Sequence, residues 1–424
     1  MAILRRIAAA AFGCLLASAA PAAELPSAVP ADLGMARLDR IGSFFRAEVE
    51  AKRLPGAVVM LARDGKIVYH EAFGLRDPAA GAPMAKDSIF RIYSMTKPVT
   101  AVAVLMLMEE GKLRLGDPVS RFLPAFAKPK VLVESPPAPG ETQRQITLVP
   151  AAREITIQDL LRHTSGMTYG VFGNTPVDKM MAAAGLNDPA NMFRLTDMQV
   201  AEEMAKLPLL HQPGTQWQYG RSTDVLLAVV EAVSGQRGDA FMQQHIFGPL
   251  GMKDTSFNLP PGKCYRMAEA GPDPVTGQTA RLTDVSKQRL FLGGGEGLLS
   301  TAADYMRFAL MLANGGTLDG VHLLSRKTVE LMTADHMTAE IGRGPGYLPG
   351  PGYGFGLTVA VRTAAGQASL AGSIGDYNWG GYAGTQFWVD PVERLVPVMM
   401  IQAPLQSRVT RGAFRALVYQ AIDD

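Results

Sequence analysis

Ser94-Met95-Thr96-Lys97-Pro98-Val99-Thr100-Ala101-Val102-Ala103-Val104-Leu105 opens an apolar helix that Gly111 ends. Ser94 and Lys97 stand at i and i+3, so a helix puts the hydroxyl and the ammonium on one face. A serine hydroxyl is a poor nucleophile until a base takes its proton. Burial and the positive end of a helix both disfavour a charged lysine, which suits Lys97 to that task. The same helix start points backbone N–H groups at whatever Ser94 attacks, where an oxyanion would form. Taken alone, the four residues are a weak pattern and read more simply as a serine N-cap followed by a surface lysine.

Working outward, Met35 to Leu54 has the apolar spacing of an amphipathic helix, with Leu38, Ile41, Phe44, Phe45 and Val49. Gly56 to Leu61 and Ile67 to Phe73 are β-rich and flank Arg63-Asp64-Gly65, a hairpin signal. From about Leu115 to Arg281 helical stretches (Ile157 to Arg162, Thr196 to Lys206, Thr223 to Val233) alternate with Pro/Gly loops, and the Pro-rich Glu134 to Arg144 reads as a surface loop. Strand signals return at Gly356 to Val361, Gln386 to Val389 and Leu395 to Gln402, before a closing helix from about Thr410. Strands at both ends and helices between predict an α/β (α+β) domain made from residues 24–115 and 282–424, with a mainly helical domain inserted at 116–281. No internal repeat is visible.

The 424 residues are 47% hydrophobic, with 41 basic and 39 acidic side chains, which gives no sign of a nucleic-acid partner. Residues 1–23 read as a signal peptide: Arg5 and Arg6, the small apolar run Ile7 to Ala20, then Ala20-Pro21-Ala22. That run is too short for a stable membrane span, and bulky Phe12 disfavours lipidation at Cys14. Cleavage implies a periplasmic or secreted protein. It also leaves Cys264 alone, with no intrachain disulfide and no cysteine-based metal site. The six histidines lack H-x-x-x-H or H-E-x-x-H spacing, so no metal is predicted. His163 reads as a packing or capping residue. G-x-S-x-G is absent, which argues against an α/β-hydrolase elbow.

Three further segments bear on chemistry. Tyr219 precedes the apolar helix from Val225 and reads either as a general base beside a lysine or as a packing aromatic. Trp379-Gly380-Gly381-Tyr382-Ala383-Gly384 leads into a strand, where glycines admit close backbone approach and an edge N–H can meet an oxyanion; a plain glycine turn is the alternative. Gly293-Gly294-Gly295-Glu296-Gly297 carries the same ambiguity, without the Gly-Lys-Ser/Thr of a phosphate loop.

In order and spacing these pieces resemble the serine β-lactamase/penicillin-binding superfamily, in its class C-like branch, nearest the family VIII bacterial carboxylesterases. Ser94-Met95-Thr96-Lys97, Gly111 to Val119, Leu160 to Gly166, Tyr219, Gly297 to Tyr305 and Trp379-Gly380-Gly381 carry the resemblance, from about residue 35 to the C-terminus. It implies an antiparallel sheet flanked by helices with an inserted helical domain. It also implies a two-step acyl transfer in which Lys97 and Tyr219 deprotonate Ser94 and the N–H groups of Ser94 and Tyr382 hold the oxyanion. No metal or organic cofactor is required, and the partner is a small-molecule ester. Two departures bear on substrate. The K-T-G slot reads Trp379-Gly380-Gly381, which removes the lysine that would meet a lactam carboxylate. Y-x-N reads Tyr219-Gly220-Arg221, and Arg221 has no acceptor atom. The implied activity is hydrolysis of short-chain acyl esters with weak cephalosporin cleavage. A class C-like β-lactamase or D-amino-acid peptidase, a penicillin-recognising protein without turnover, and acyl transfer to another alcohol are the alternatives.

Overall fold

The computed structural model describes residues 25–27, 33–137, 139, 142 and 144–423. The signal segment 1–23 and Cys14 lie outside the described residues. The frame is an eight-stranded antiparallel sheet in the order Tyr353–Phe355, Ala360–Arg362, Tyr377–Gly380, Gln386–Val389, Leu395–Ile401, Gly56–Arg63, Lys66–Asp77, Ala82–Pro83. Gly56–Arg63 pairs along its length with Leu395–Ile401, from Ala57 opposite Ile401 to Arg63 opposite Leu395. The sheet is therefore closed by the two ends of the chain, and the mixed α/β architecture is the one the sequence predicts.

Every residue of Gly56–Arg63 is buried, which explains its nearly unbroken apolar run. Val58, Met60 and Ala62 face the main core, while Ala57, Val59 and Leu61 face a second core under the terminal helices Met35–Glu50 and Ser407–Tyr419. Leu38, Ile41, Phe45, Phe414 and Val418 fill that second core. On the opposite face the Ala302–Ala313 helix brings Tyr305, Phe308 and Ala309 into the main core. The Asp64-Gly65 turn has positive φ at both residues (50° and 72°), which matches the right-handed twist of the flanking strands.

Thr96–Glu109 is buried on almost every side, as an apolar sequence all round a helix demands. It packs on Ser222–Ser234, and between these two helices and the sheet lies the region built around Ser94. Two readings need correction. Gly356 to Val361 is not one strand: Gly356 to Val359 forms the tight connection between Tyr353–Phe355 and Ala360–Arg362, with Thr358 at φ 73°. Glu134 and Ser135 belong to a strand rather than to a surface loop: Lys130–Ser135 pairs with Gln145–Pro150 as a two-stranded hairpin inside what reads as a helical region. Both failures have one cause. Strands of three to six residues give little alternation to read. No helix among the described residues is long and apolar enough to cross a membrane.

Candidate active site

Ser94 does not start the long helix. It sits in a 3₁₀ turn, Tyr93–Met95, that leads into Thr96–Glu109, and no side chain caps either element. Tyr93 takes a left-handed conformation (φ 44°), uncommon for a bulky residue, and turns the chain sharply before Ser94. The Tyr93 hydroxyl accepts from the Thr283 N–H at 3.1 Å, and the Tyr93 ring meets Tyr382 edge to face at 5.5 Å. Tyr93, Met95 and Thr96 are buried, whereas Ser94 stays partly open. The N-cap reading fails on these facts, and so does a surface lysine: Lys97 is fully buried.

Lys97 Nζ lies 3.2 Å from Ser94 Oγ, 3.2 Å from the Tyr169 hydroxyl and 2.8 Å from the carbonyl oxygen of Gly295. Tyr219 donates its hydroxyl to the same Ser94 Oγ at 2.8 Å, and Lys97 Nζ lies 4.7 Å from the centre of the Tyr219 ring. Thus the structure brings Ser94, Lys97 and Tyr219 into one hydrogen-bonded cluster, from a turn, a helix and the loop ahead of another helix.

The glycine-rich segment is part of the cluster. Gly295 supplies the carbonyl for Lys97, and Gly294 O accepts from Thr100 Oγ1 at 2.7 Å, so Gly293-Gly294-Gly295 is laced to the Thr96–Glu109 helix. From the other side Asp224 accepts the Gly295 N–H at 2.7 Å, and Asp197 accepts the N–H groups of Leu292 and Gly293 at 2.9 and 3.0 Å. Burial pushes the Asp197 carboxyl up to about 7, against the pull of those two amides.

Arg221 settles inward. It pairs with Asp224 at 3.2 Å, donates to Leu186 O at 3.1 Å and to Asn187 Oδ1 at 3.4 Å, and lies 5.5 Å over the Tyr169 ring. Burial raises Asp224, and the Arg221 guanidinium pulls it back down. Tyr169 is the site residue that sequence reasoning misses. Its phenol is pushed well above the ordinary value by burial and by the negative charge of Glu296, so it stays protonated as a hydrogen-bond partner of Lys97. The one hint is its place just after the quoted Leu160 to Gly166 segment; that its hydroxyl reaches Lys97 is a tertiary fact.

His163 is buried at φ 58°, and neither ring nitrogen has a hydrogen-bond partner among the described residues. Its ring packs 4.9 Å from Tyr219 and 5.9 Å from Trp217, and burial together with nearby Lys97 keeps it neutral. It packs, as its sequence context indicates.

Trp379 is buried against Tyr219, with ring centres 5.6 Å apart. Gly381 lies so close to the turn before Ser94 that a Cβ there would stand 2.3 Å from Ile92 O and 2.3 Å from Thr385 Oγ1. Behind Gly380 and Gly381, Arg411 donates to Gly381 O and, at 2.9 Å, to Thr385 O; burial lowers it to about 10. Tyr382 is half exposed, and its N–H donates to nothing among the described residues. Trp379 thus backs Tyr219, Gly381 abuts the turn before Ser94, and Tyr382 lines the cavity beside Ser94. A cavity of about 380 Å³ runs from Ser94 past Tyr93, Tyr169, Phe172, Phe291, Glu296 and Tyr382. Cys264 is exposed, with no part in this cluster.

A serine hydroxyl held between a buried lysine and a phenol, at the floor of an aromatic cavity, marks a serine hydrolase built on an antiparallel α/β frame. The chain belongs to the beta-lactamase family, whose model matches residues 41–420. It is 34% identical to protein Rv1367c of Mycobacterium tuberculosis, over 86% of this chain and 90% of that protein. It is 32% identical to esterase EstB of Burkholderia gladioli, over 84% of this chain and 87% of that one. Among solved structures it resembles EstCE1, described as a hydrolase with promiscuous acyltransferase activity. That match has TM-score 0.74 and 26% identity, and covers 92% of this chain and 99% of the other.

Proposed function

We propose that this protein is an exported carboxylesterase that hydrolyses short-chain acyl esters through an acyl-enzyme on Ser94. The observation that carries the reading is the pair of contacts on Ser94 Oγ, from Lys97 Nζ at 3.2 Å and from the Tyr219 hydroxyl at 2.8 Å. Gly295 O can only accept, so Lys97 must donate one N–H there; a second goes to the Tyr169 hydroxyl. In a neutral amine the remaining tetrahedral position is a lone pair, and it is directed at Ser94. Lys97 and Tyr219 together take the Ser94 proton as Oγ bonds to the ester carbonyl carbon. The N–H groups of Ser94 and Tyr382 hold the resulting oxyanion. The proton then goes to the leaving alcohol oxygen as the C–O bond breaks. Water attacks the acyl-enzyme by the same route and releases the carboxylic acid.

Esters are favoured over lactams because Trp379 offers no cation to a lactam carboxylate. The nearest replacement, Arg411, is spent on the carbonyls of Gly381 and Thr385. Weak cephalosporin cleavage is the expected side activity. Acyl transfer to an alcohol is the second reading, favoured by the likeness to EstCE1 and by a cavity with room for an acceptor beside Ser94. The segment from Arg5 to Ala22 supports a periplasmic or secreted location.

The test is hydrolysis of p-nitrophenyl butyrate by wild type and Ser94→Ala, with a chromogenic cephalosporin in parallel. Fast ester turnover lost in the variant, with slow or no lactam cleavage, supports the esterase. Lactam turnover that outpaces the ester makes the protein a β-lactamase despite Trp379. Ester turnover that survives in Ser94→Ala removes the nucleophile and the mechanism with it.

A further inference from the structure

Of the four charged side chains that line the cavity, Asp188, Arg221, Arg281 and Glu296, two are already engaged. Arg221 is tied to Asp224, Leu186 O and Asn187, and Asp188 accepts the Ala190 N–H at the start of its own short helix. Arg281 stands exposed at the rim. Glu296 is different. It is half-buried, one residue beyond the carbonyl that holds Lys97, and its carboxylate makes no hydrogen bond or ion pair among the described residues. It faces the cavity together with the rings of Tyr93, Phe172, Phe291 and Tyr382. Its charge is felt by Tyr93, Tyr169, Arg221 and Asp224, so it sits among those groups rather than out in solvent.

An unpaired carboxylate within a wall of aromatic rings is a poor host for a neutral aliphatic chain, because part of the wall stays charged and must be hydrated. It is a good host for a cation, which gains Coulomb attraction from the carboxylate and quadrupole attraction from the rings at once. We propose that Glu296 is a specificity-determining residue that selects esters bearing a cationic group, an ammonium or quaternary ammonium, on the portion that occupies this cavity. The inference rests on the esterase reading and names the substrate class of that same site. The ester group reacts at Ser94 as before, and the cation takes no part in the bonds made or broken.

The probes are two isosteric pairs that differ only in charge. One is butyrylcholine against its neutral analogue, in which tert-butyl replaces trimethylammonium; the other is a pair of p-nitrophenyl esters whose acyl chains end in the same two groups. For at least one pair the wild type turns over the cationic ester with kcat/KM about tenfold or more above the neutral one, the size of one good cation contact. In Glu296→Gln that ratio collapses toward one, with the loss carried mainly by KM. Circular dichroism and thermal melting establish that the variant is folded, and Glu296→Asp restores part of the ratio. A wild-type ratio near one in both pairs, or a ratio unchanged in Glu296→Gln, overturns the assignment. If the wild type hydrolyses none of the four esters and p-nitrophenyl butyrate is also untouched, it is the esterase reading that fails.

Discussion

Tyr219→Phe removes one oxygen and tests the centre of the mechanism. The ring that remains keeps its neighbours: Trp217 stacked at 5.8 Å, Trp379 at 5.6 Å, His163 at 4.9 Å and Lys97 Nζ at 4.7 Å. What is lost is a single hydrogen bond of 2.8 Å to Ser94 Oγ. Folding stability should therefore fall by no more than about 1 kcal/mol, the net worth of one hydrogen bond. Catalysis should suffer far more. A positioned acid–base group contributes about 10²–10⁴ in rate, which at 1.36 kcal/mol per decade is about 3–5 kcal/mol of barrier. The assay is kcat and KM for p-nitrophenyl butyrate beside a urea denaturation curve of the same preparation. The expected pattern is a fall in kcat of at least about a hundredfold with KM nearly unchanged and the denaturation midpoint almost unmoved. A folded Tyr219→Phe with kcat within about threefold of wild type would refute the assignment of proton transfer to this phenol.

Tyr169→Phe removes a partner of Lys97 rather than of Ser94. It should cost kcat only about tenfold, and a loss equal to that of Tyr219→Phe would mean the two phenols act as one unit. In Asp197 the folded carboxyl is raised from 3.8 to about 7, so the folded state holds the proton more tightly than the unfolded chain does. Its stabilising contribution is complete below the unfolded value and is lost as pH rises through about 7. Asp197→Asn should flatten that decline by up to about 1.4 kcal/mol per pH unit, read from urea curves across the interval, and an unchanged slope would contradict it. Gly381→Ala should drive a methyl into Ile92 O, cutting kcat/KM by more than about tenfold and costing about 1–3 kcal/mol of stability; wild-type values for both would show that the strand and the Ser94 turn are not in contact.

Much of this was legible in the sequence because the decisive residues are local. The hairpin turn at Asp64-Gly65, the apolar run from Gly56 to Ala62 and the helix after Ser94 each follow from short-range rules. Ser94 and Lys97 share a face by helical spacing alone. Tyr219 is another matter: nothing near it in sequence names its partner, and only the order of motifs singles it out. The residues that escaped reading are those whose role depends on tertiary placement. Tyr169 acts by reaching Lys97, and Glu296 by having no partner among the described residues. Whether Arg221 faces solvent or the interior is not written in the sequence, because a guanidinium suits both; its pairing with Asp224 at 3.2 Å is what holds it inside. The Lys130–Ser135 hairpin was hidden by its Pro-rich connection and by Val133, Ile146 and Leu148, which lie exposed rather than alternating with a buried face.

The pairing of Gly56–Arg63 with Leu395–Ile401 also sets when the protein comes into being. The central strand is made early in synthesis and waits, apolar up to Arg63, for a second neighbour made almost last. The turn before Ser94 likewise waits for Gly381 and for Thr385, whose hydroxyl donates to Ile92 O. Contacts so distant along the chain carry a high loop-closure cost, and folding dominated by them is slow. A partly made chain therefore keeps its hydrolytic centre open and unassembled. The proposed export would draw on the same feature: a chain without its last strand has no assembled Ser94 centre, and the enzyme switches on only when Leu395–Ile401 arrives.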